Sequence, residues 1–393
     1  MISLYKDKKD CCGCTACVNI CPNSAIEMKA CGEGFDYPEI NEGKCIQCGL
    51  CVKVCAFQNA QDDKHEAPPL VYAAKHKCDE VRMNSSSGGA FAAISDEILN
   101  RGGVIYGAGF DDSLTVTHQR AVTTYDRDRF RGSKYVQSDL GDIFVQVKSD
   151  LMGGKYVLFT GTPCQCGGLK SFLTLLKVPH DKLILCDLLC HGVPSPMVWK
   201  DHLKHVNKDI IDYKFRDKSA GWGNWRSFSV TITHNDTKQI KKIHLKFSLL
   251  NLFLEHYILR QACHNCKYTK TNRCSDITMA DFWGIERCMP DFEDSKGVSL
   301  LLINTDKGKD LFGAVKHEFQ YRESNIKDCM QGVLRTPTPA AVKRGQFWED
   351  YRNKGYLYAA KKYTNYGLKN RMIRQTKSKV AKVLRKIGVL RVL

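Results

Sequence analysis

Two runs of cysteine constrain this chain more than any other feature of its sequence. The runs consist of Cys11, Cys14, Cys17 and Cys21, followed by Cys45, Cys48, Cys51 and Cys55. Each run has the spacing C-x2-C-x2-C-x3-C, and Pro22 follows the first. Four soft thiolates must converge on one small cubane, and two-residue gaps let a tight turn point successive sulfurs inward. The spacing therefore predicts two 4Fe–4S clusters, with a structural zinc module as the alternative.

The two runs together resemble the bacterial two-cluster ferredoxins. In that family the first three cysteines of a run hold one cluster, and the fourth crosses over to the other cluster. The resemblance implies a first N-terminal site of Cys11, Cys14, Cys17 and Cys55, and a second N-terminal site of Cys45, Cys48, Cys51 and Cys21. The second run ends in Cys55-Ala56 rather than Cys-Pro. Cys12 is out of register with the motif, and we interpret it as a bystander.

Length and composition narrow the class of protein. A chain of 393 residues with 43 % hydrophobic residues is expected to form two or three domains. Its 20 cysteines do not indicate a disulfide scaffold, because such scaffolds are short and secreted. The first residues, MISLYKDKKDCC, lack the apolar core of a signal peptide, and no apolar run approaches the ~18–20 residues of a membrane span. Thiolate-bound clusters also need a reducing compartment, so we expect a cytoplasmic protein.

The formal charge of +17 is unevenly distributed. Eleven Lys or Arg and no acidic residue lie in 361–393, which leaves +6 for the first 360 residues. Each 4Fe–4S centre with four thiolates contributes roughly −2, so the cluster-loaded body is about neutral. This balance predicts no nucleic-acid partner.

The basic tail has an amphipathic pattern. One helical face carries Val380, Val383, Leu384, Ile387 and Leu390, with Lys and Arg around it. The pattern predicts a basic amphipathic C-terminal helix with peripheral contact at the inner face of the membrane. A solvated or partner-docking helix is the alternative.

The sequence pattern of the remaining chain predicts alternating strands and helices. We expect a ferredoxin domain in 1–60, a polar linker in 61–69, a mixed-sheet α/β domain in 70–325 and a C-terminal region in 326–393. Strand candidates include LVYAAKH, VIYGAGF, KYVLFTG, KLILCDLLC and VSLLLINT, and SGGAFAAISDEILNRGG and SPMVWKDHLKHV are helix candidates. The predicted fold class is therefore α+β or α/β.

Four segments after the linker carry a further resemblance. They are NSSSGGAF (84–91), RGSKYVQS (131–138), FTGTPCQ (159–165) with DLLCHGVPS (187–195), and ACHNCKYTKTNRCSDITMADFWGI (262–285). In order and spacing they resemble the beta-subunit family of coenzyme F420-reducing hydrogenase and dehydrogenase. That resemblance, which runs from about residue 70 to about 320, implies an FAD and a further 4Fe–4S cluster.

The resemblance implies a third site of Cys164, Cys190, Cys263 and Cys266. Cys164 follows a buried strand and Cys190 ends the next one, and such strand ends converge where α/β proteins place their sites. A local zinc or cluster site of Cys263, Cys266, Cys274 and Cys288 is the alternative. Unliganded core cysteines are a second alternative.

The resemblance also implies flavin-contacting segments. The candidate residues are Ser86, Ser87, Gly88, Gly89, Ser133, Lys134, Tyr135, Ser138, Gly161 and Thr162. The first four open a predicted helix, whose free N–H groups attract an anion, although an ordinary N-cap would give the same pattern. His191 follows Cys190 and is the candidate catalytic proton donor, or else it only fixes the cluster through a hydrogen bond. Asp281 is a candidate flavin or substrate contact, or a capping carboxylate.

Together these features predict an iron–sulfur flavoprotein oxidoreductase. Electrons would pass between a redox partner protein or reduced carrier, the clusters, FAD and a small-molecule substrate. The candidate substrates are a deazaflavin and a polysaccharide-pathway intermediate. The first alternative is an electron-transfer subunit without its own substrate, docked to a larger redox enzyme. The second is a zinc-stabilised interaction protein.

Overall fold

The computed structural model describes residues 2–59, 67–206, 209–219, 221–222, 229–236, 239–243 and 248–364. The predicted amphipathic tail lies outside this range. The described strands are β1 (Ile26–Ala30), β2 (Asp36–Ile40), β3 (Leu70–His76), β4 (Val104–Phe110), β5 (Val116–Ala121), β6 (Val157–Gly161), β7 (Leu183–Leu188), β8 (Ile210–Asp217), β9 (Ser229–His234), β10 (Gln239–Ile243), β11 (Ile277–Asp281), β12 (Ser299–Ile303) and β13 (Phe319–Ser324).

The described α-helices are α1 (Ala16–Asn19), α2 (Leu50–Lys53), α3 (Asp79–Met83), α4 (Ala90–Asn100), α5 (Thr124–Asp128), α6 (Ile143–Met152), α7 (Pro163–Leu175), α8 (Pro196–Val206), α9 (Ser248–Leu254), α10 (Ile285–Cys288), α11 (Asp306–Val315) and α12 (Arg344–Tyr363). The strand and helix candidates read from the sequence correspond to β3, β4, β6, β7, β12, α4 and α8, so these predictions are confirmed. A 3-10 helix covers Gln261–Asn265.

The N-terminal module repeats one backbone path in its two cysteine runs. Gly13 and Thr15 have positive φ angles of 73° and 60°, and Gln47 and Gly49, at the equivalent positions, have 54° and 73°. Left-handed residues reverse the chain within a few residues, so that sulfurs three positions apart turn toward the same point. The short helices α1 and α2 follow these turns, and the antiparallel hairpin β1–β2 completes the module.

The centre of the molecule is an eight-stranded mixed sheet with the order β13-β3-β12-β11-β7-β6-β4-β5. The four strands β11, β7, β6 and β4 run parallel to one another. The carboxyl ends of β6, β7 and β11 therefore lie at one edge of the sheet, where α/β proteins commonly bind ligands. This mixed sheet confirms the predicted fold class.

The N-terminal module packs directly on one face of this sheet. Its residues Val54 and Phe57 share a hydrophobic core with α6 and α7. A Cβ atom on Gly168 of α7 would lie 2.8 Å from the Cys14 sulfur, so a glycine is needed for this close approach. Arg344 of α12 forms an ion pair with Glu33 of the module. These contacts fix the module against the α/β domain.

The opposite face and the outer layer complete the fold. Helices α4 and α11 cover the other side of the large sheet in a separate core. A three-stranded antiparallel sheet, β10-β9-β8, packs with α8, α9 and α12 around a core that contains Trp199 and Trp348. None of the helices in the described ranges combines the length and the apolar character needed to cross a membrane.

Candidate functional site

The second N-terminal site surrounds a small cavity at the surface. The cavity is lined by the four thiols assigned from the ferredoxin resemblance, Cys21, Cys45, Cys48 and Cys51. Cys48 is exposed, and the neighbouring side chains of Ile46 and Val52 are 61 % and 42 % exposed. Four thiols around one cavity fit a cubane cluster in donor type and number. This site therefore has an edge that another protein can contact.

The first N-terminal site is more deeply buried. The thiol of Cys17 interacts electrostatically with those of Cys14, Cys11 and Cys55, the other three predicted ligands, and also with that of Cys51 from the second N-terminal site. Burial raises the pKa of the Cys17 thiol far above its ordinary value. Neutral thiols in such a place are converted to ligands only when a metal centre supplies compensating positive charge. The donor set thus fits an iron–sulfur cluster.

The structure brings the four cysteines of the predicted third site together. One cavity is lined by Cys164, Cys190, Cys263 and Cys266. Cys164 lies in the first turn of α7, directly after β6, and Cys190 follows the adjacent parallel strand β7. The other two flank the end of the 3-10 helix Gln261–Asn265.

Hydrogen bonds to sulfur support the third site as a cluster-binding arrangement. The Gly192 N–H donates to the Cys190 sulfur at 3.4 Å, and the Val193 N–H donates to the Cys263 sulfur at 3.4 Å. Thr162 Oγ1 lies 3.2 Å from the Cys164 sulfur. Hydrogen bonds to cluster sulfurs are one of the means by which proteins set cluster potentials. Burial raises the pKa of the Cys263 thiol to about 12, so a metal centre is needed to ionise it.

The alternative local site is not assembled. The Cys274 thiol donates to the Pro163 carbonyl in the interior, whereas Cys288 donates to Ile285 and packs in a different hydrophobic core. Among the residues that the structure describes, no three Cys, His, Asp or Glu side chains are grouped to hold a single metal ion. The geometry therefore does not support a mononuclear zinc site of this composition.

Cys12 lies between the first N-terminal site and the third site. Its buried thiol forms side-chain hydrogen bonds with Cys14 on one side and Cys164 on the other. It also lines the cavity of the third site. The hydrogen bond from Cys12 lowers the pKa of the Cys164 thiol. The spacing of the motif marked Cys12 as a bystander, and nothing in the sequence indicates the long-range contact with Cys164.

The first two predicted flavin segments are joined by their serines. Ser86 Oγ accepts a hydrogen bond from the Ser133 N–H at 2.8 Å and lies 3.1 Å from Ser133 Oγ. Ser87 Oγ donates to the Val298 carbonyl at 2.8 Å. A Cβ on Gly88 would lie 2.2 Å from the Ala74 carbonyl oxygen, so this glycine is required by packing. Gly89 has a φ of 94° and precedes α4 directly.

Lys134 and Tyr135 lie beside these serines. The ammonium group of Lys134 donates to the carbonyls of Arg129 and Arg131 at 2.8 and 3.1 Å. Burial lowers the pKa of Lys134 to about 7. The Tyr135 ring stacks on Phe253 with a centroid distance of 5.0 Å. Lys134 is half-buried, and an ammonium group held by carbonyls retains the capacity to pair with an anion.

The remaining predicted flavin residues form a network that reaches the third site. Ser138 Oγ accepts from Gln165 Nε2 at 3.0 Å, and the Thr162 N–H donates to Gln165 Oε1 at 2.8 Å. Ser138 is also 2.9 Å from His118 Nδ1. Burial lowers the pKa of His118 to about 4, so its ring is neutral at pH 7. Gly161 packs against Gln165, since a Cβ there would lie 3.0 Å from Oε1.

His191 forms a pair with a second histidine. Its Nε2 lies 2.9 Å from Nε2 of His256, so one proton is held between the two rings. Burial, followed by the nearby charge of His256, lowers the pKa of His191 to about 4. His191 also lines the cavity of the third site. The sequence singled out His191 and did not indicate its partner.

Two further basic residues near the flavin segments carry no signal in the sequence. Lys218 is buried and donates to the carbonyls of Ser87 and Lys296, each at 2.7 Å. Arg216 forms an ion pair with Asp281, whose other carboxylate oxygen accepts from Trp222 Nε1 at 3.2 Å. Asp281 is thus held by protein groups. Arg216 lies in β8 and Lys218 lies in the loop that follows it. Both are far in sequence from the serine segment that Lys218 contacts.

Comparison with known proteins gives matches to both parts of the chain. Residues 154–328 match the family model that describes the C-terminal part of the beta subunit of coenzyme F420 hydrogenase/dehydrogenase. Residues 10–59 match the model of the 4Fe–4S dicluster domain. Together the two ranges cover more than half of the chain.

Two individual proteins are similar to parts of the chain. An uncharacterised protein in the rpl9–rpl11 intergenic region of Porphyra purpurea is 39 % identical over 61 residues, which are 14 % of this chain and 77 % of that protein. A solved structure of the F420-reducing NiFe hydrogenase complex from Methanosarcina barkeri, derivatised with xenon, contains a chain with 16 % identity and a TM-score of 0.47. The alignment covers 73 % of this chain and 90 % of that chain.

The N-terminal match identifies an iron–sulfur domain, and the C-terminal match identifies a subunit type found in redox enzymes. Both matched ranges contain the cysteines that line the cavities described above. Residues 154–328 thus form a region of the coenzyme F420 hydrogenase/dehydrogenase beta subunit family, and residues 10–59 form a 4Fe–4S dicluster domain.

Proposed function

We propose that this protein is an iron–sulfur flavoprotein oxidoreductase. It passes electrons between two N-terminal 4Fe–4S clusters, a third 4Fe–4S cluster and FAD, and thereby reduces or oxidises a small-molecule substrate. The observation that carries the proposal is the cavity lined by Cys164, Cys190, Cys263 and Cys266, which Cys12 of the dicluster domain also lines. The dicluster domain thus touches the third site directly, as an electron path requires.

The order of the three sites follows from their exposure. The second N-terminal site has the exposed Cys48 at its edge, with Ile46 and Val52 beside it. The first N-terminal site is buried and contacts the third site through Cys12. Electrons therefore enter or leave at the second N-terminal site, where a redox partner protein or reduced carrier docks, and cross the first site to reach the third.

The flavin-binding residues of this proposal lie beyond the third site. Ser86 and Ser133 join two loops, while Lys134 and Lys218 supply positive charge for a diphosphate. When bound, FAD exchanges single electrons with clusters and electron pairs with organic substrates. The Ser138–Gln165–Thr162 network connects this region to Cys164 and restricts movement between the two.

His191 is the proposed proton donor. The His191–His256 pair holds one proton between its two Nε2 atoms at the cavity of the third site. Burial lowers the pKa of His191 to about 4, so the pair is neutral at pH 7. It would hydrogen-bond a substrate and relay a proton by taking one at the second ring nitrogen as it gives up the other. The cytoplasm is the proposed location, and peripheral membrane contact through the tail is part of the same proposal.

An electron-transfer subunit without its own substrate is the second candidate. The exposed edge around Cys48 favours this second candidate. A protein that donates electrons or one that accepts them could dock at such an edge. The two candidates differ in whether the purified protein turns over a small molecule without a second protein.

Quantitation of iron, sulfide, zinc and flavin in anaerobically purified protein tests the proposal. About twelve irons and one FAD per chain would support three clusters and a flavin. About eight irons with bound zinc and no flavin would leave the dicluster domain intact and refute the flavoenzyme. Flavin reduction by a protein donor without small-molecule turnover would favour the second candidate.

A further inference from the structure

Arg260 is a buried arginine at the junction between the dicluster domain and the third site. Its side chain is 1 % exposed. Its Nε donates to the Cys11 carbonyl at 2.8 Å, and its Nη1 donates to Gln137 Oε1 at 3.1 Å. Its Nη2 donates to the Asp36 carbonyl at 2.9 Å and lies 3.7 Å from the Cys11 sulfur.

These partners leave the charge of Arg260 without a carboxylate in direct contact. Asp36 accepts through its backbone, whereas its carboxyl group acts on the guanidinium only at a distance, and Gln137 is neutral. The Tyr37 ring lies 4.1 Å from the guanidinium carbon and contributes a cation–π contact. A guanidinium remains charged under all ordinary conditions, and burying its charge without full compensation is unfavourable. A further source of negative charge close to the guanidinium would complete the compensation.

The cluster thiolates are that source. Arg260 Nη2 lies 3.7 Å from the Cys11 sulfur of the first N-terminal site. Arg260 also lines the cavity of the third site, together with Cys164 and Cys263. The cavity of the second N-terminal site is lined by other residues.

The local backbone is shaped around this guanidinium. Gly13 lies between Cys11 and Cys14 with a φ of 73°, and a Cβ there would lie 2.8 Å from Arg260 Cζ. The Cys263 N–H donates to the Arg260 carbonyl at 2.9 Å, so the same residue supports the third site through its backbone. Arg260 of the α/β domain therefore contacts a ligand loop of the first N-terminal site and a ligand loop of the third site.

We propose that Arg260 raises the reduction potentials of the cluster at the first N-terminal site and of the cluster at the third site together. Adding one electron changes the charge of such a centre from about −2 to about −3, and a nearby cation stabilises the more negative state. The part that concerns the third site rests on the proposed function. The part that concerns the first N-terminal site rests only on the dicluster domain.

Redox titration of the full-length protein, followed by electron paramagnetic resonance, tests the inference. Arg260→Gln is expected to shift the potentials of these two clusters to more negative values and to leave that of the second N-terminal cluster unchanged. Arg260→Lys keeps the charge and is expected to give a smaller shift. A Cys164→Ser background isolates the two N-terminal clusters for assignment.

A second variant keeps the test decisive if Arg260→Gln does not assemble its clusters. Gln137→Glu places a carboxylate against Nη1 and neutralises the arginine in place, so the same two potentials are expected to fall. Unchanged potentials in both variants, or an equal shift of all clusters, would overturn the inference. If iron analysis finds no third cluster, a shift at the first N-terminal cluster alone still supports the role of Arg260, while the proposed function fails.

Discussion

The Cys12 thiol of the dicluster domain is hydrogen-bonded to the Cys164 thiol in the first turn of α7. On its other side Cys12 is hydrogen-bonded to Cys14 of the first N-terminal site. Three sulfur atoms thus bridge the two domains in a line of direct contacts. This line connects the first N-terminal site to the third site.

Cys12→Ala is expected to retain the full iron content and to slow electron transfer from the N-terminal clusters to the third site. Cys12 is outside the ligand spacing, so its loss removes a contact and no ligand. A slowing of ~10-fold or more corresponds to a barrier increase of about 1.4 kcal/mol. The rate of this electron transfer is measured by absorbance after rapid photochemical reduction of the N-terminal clusters. Iron loss in this variant would instead make Cys12 a ligand.

Cys164→Ser and Cys190→Ser are each expected to lose the third cluster. The iron content should fall from about twelve to about eight per chain, because one thiolate of a four-thiolate cluster is missing. Cys166→Ala is the matched control, since Cys166 is fully buried on the same helix and is not a predicted ligand. Equal iron loss in the control would attribute the effect to packing rather than to ligation.

Binding of FAD is expected to weaken as the pH rises above 7. Burial lowers the pKa of Lys134 to about 7, so the flavin-free protein loses this proton at higher pH, whereas a bound diphosphate requires it. Burial also lowers the pKa of Lys218 to about 7. Affinity should then fall by up to ~10-fold per pH unit for each of the two lysines above that value and be constant well below it. Fluorescence titration of deflavinated protein measures this dependence.

Lys134→Met removes the ionisable group from this binding site. The variant should bind FAD weakly at low pH and show a shallower pH dependence, whereas Lys77→Met, at an exposed position, should behave like the unchanged protein. An identical pH dependence in the unchanged protein and in Lys134→Met would show that Lys134 does not contact the diphosphate.

Ile46→Glu is expected to impair electron exchange with a protein partner. Ile46 is 61 % exposed beside Cys48, at the edge where the second N-terminal site meets the surface. A reduced two-cluster ferredoxin as donor should reduce the variant about 10-fold more slowly, a cost of about 1.4 kcal/mol. Reduction by dithionite, which needs no docking, should be unchanged. Val342→Glu, at another exposed apolar position, is the control, and equal effects of both variants would argue against this docking edge.

Sequence spacing was sufficient for the features that are local. The cysteine runs suggested the two N-terminal ligand sets as hypotheses, and the apolar runs predicted β3, β4 and β12 because strands and turns leave their pattern within a few residues. The contacts of Arg260 and Cys12 span up to 249 residues along the chain, and no pattern in either segment encodes them. The sequence for this reason did not indicate the contact between Cys12 and Cys164, and the interpretation of Cys12 as a bystander to the ligand motif stays a prediction.

The flavin region was only partly accessible from the sequence. The serine and glycine segments were identified through family resemblance, whereas Lys218 and His118 carry no local motif. Their positions depend on where β8 and β5 pack relative to the loops. The ligand roles of the cysteines and the flavin contacts remain predictions, which iron analysis and flavin titration of the variants test.

Stepwise anaerobic reduction of the unchanged protein and of Cys164→Ser tests the proposed electron path most directly. The cluster signals and the flavin absorbance are followed on the same sample while electrons are supplied by reduced ferredoxin. We expect that the flavin is reduced in the unchanged protein, and that in Cys164→Ser the N-terminal clusters are reduced while the flavin stays oxidised. Flavin reduction at the same rate in both proteins would contradict the proposed path from the clusters to FAD.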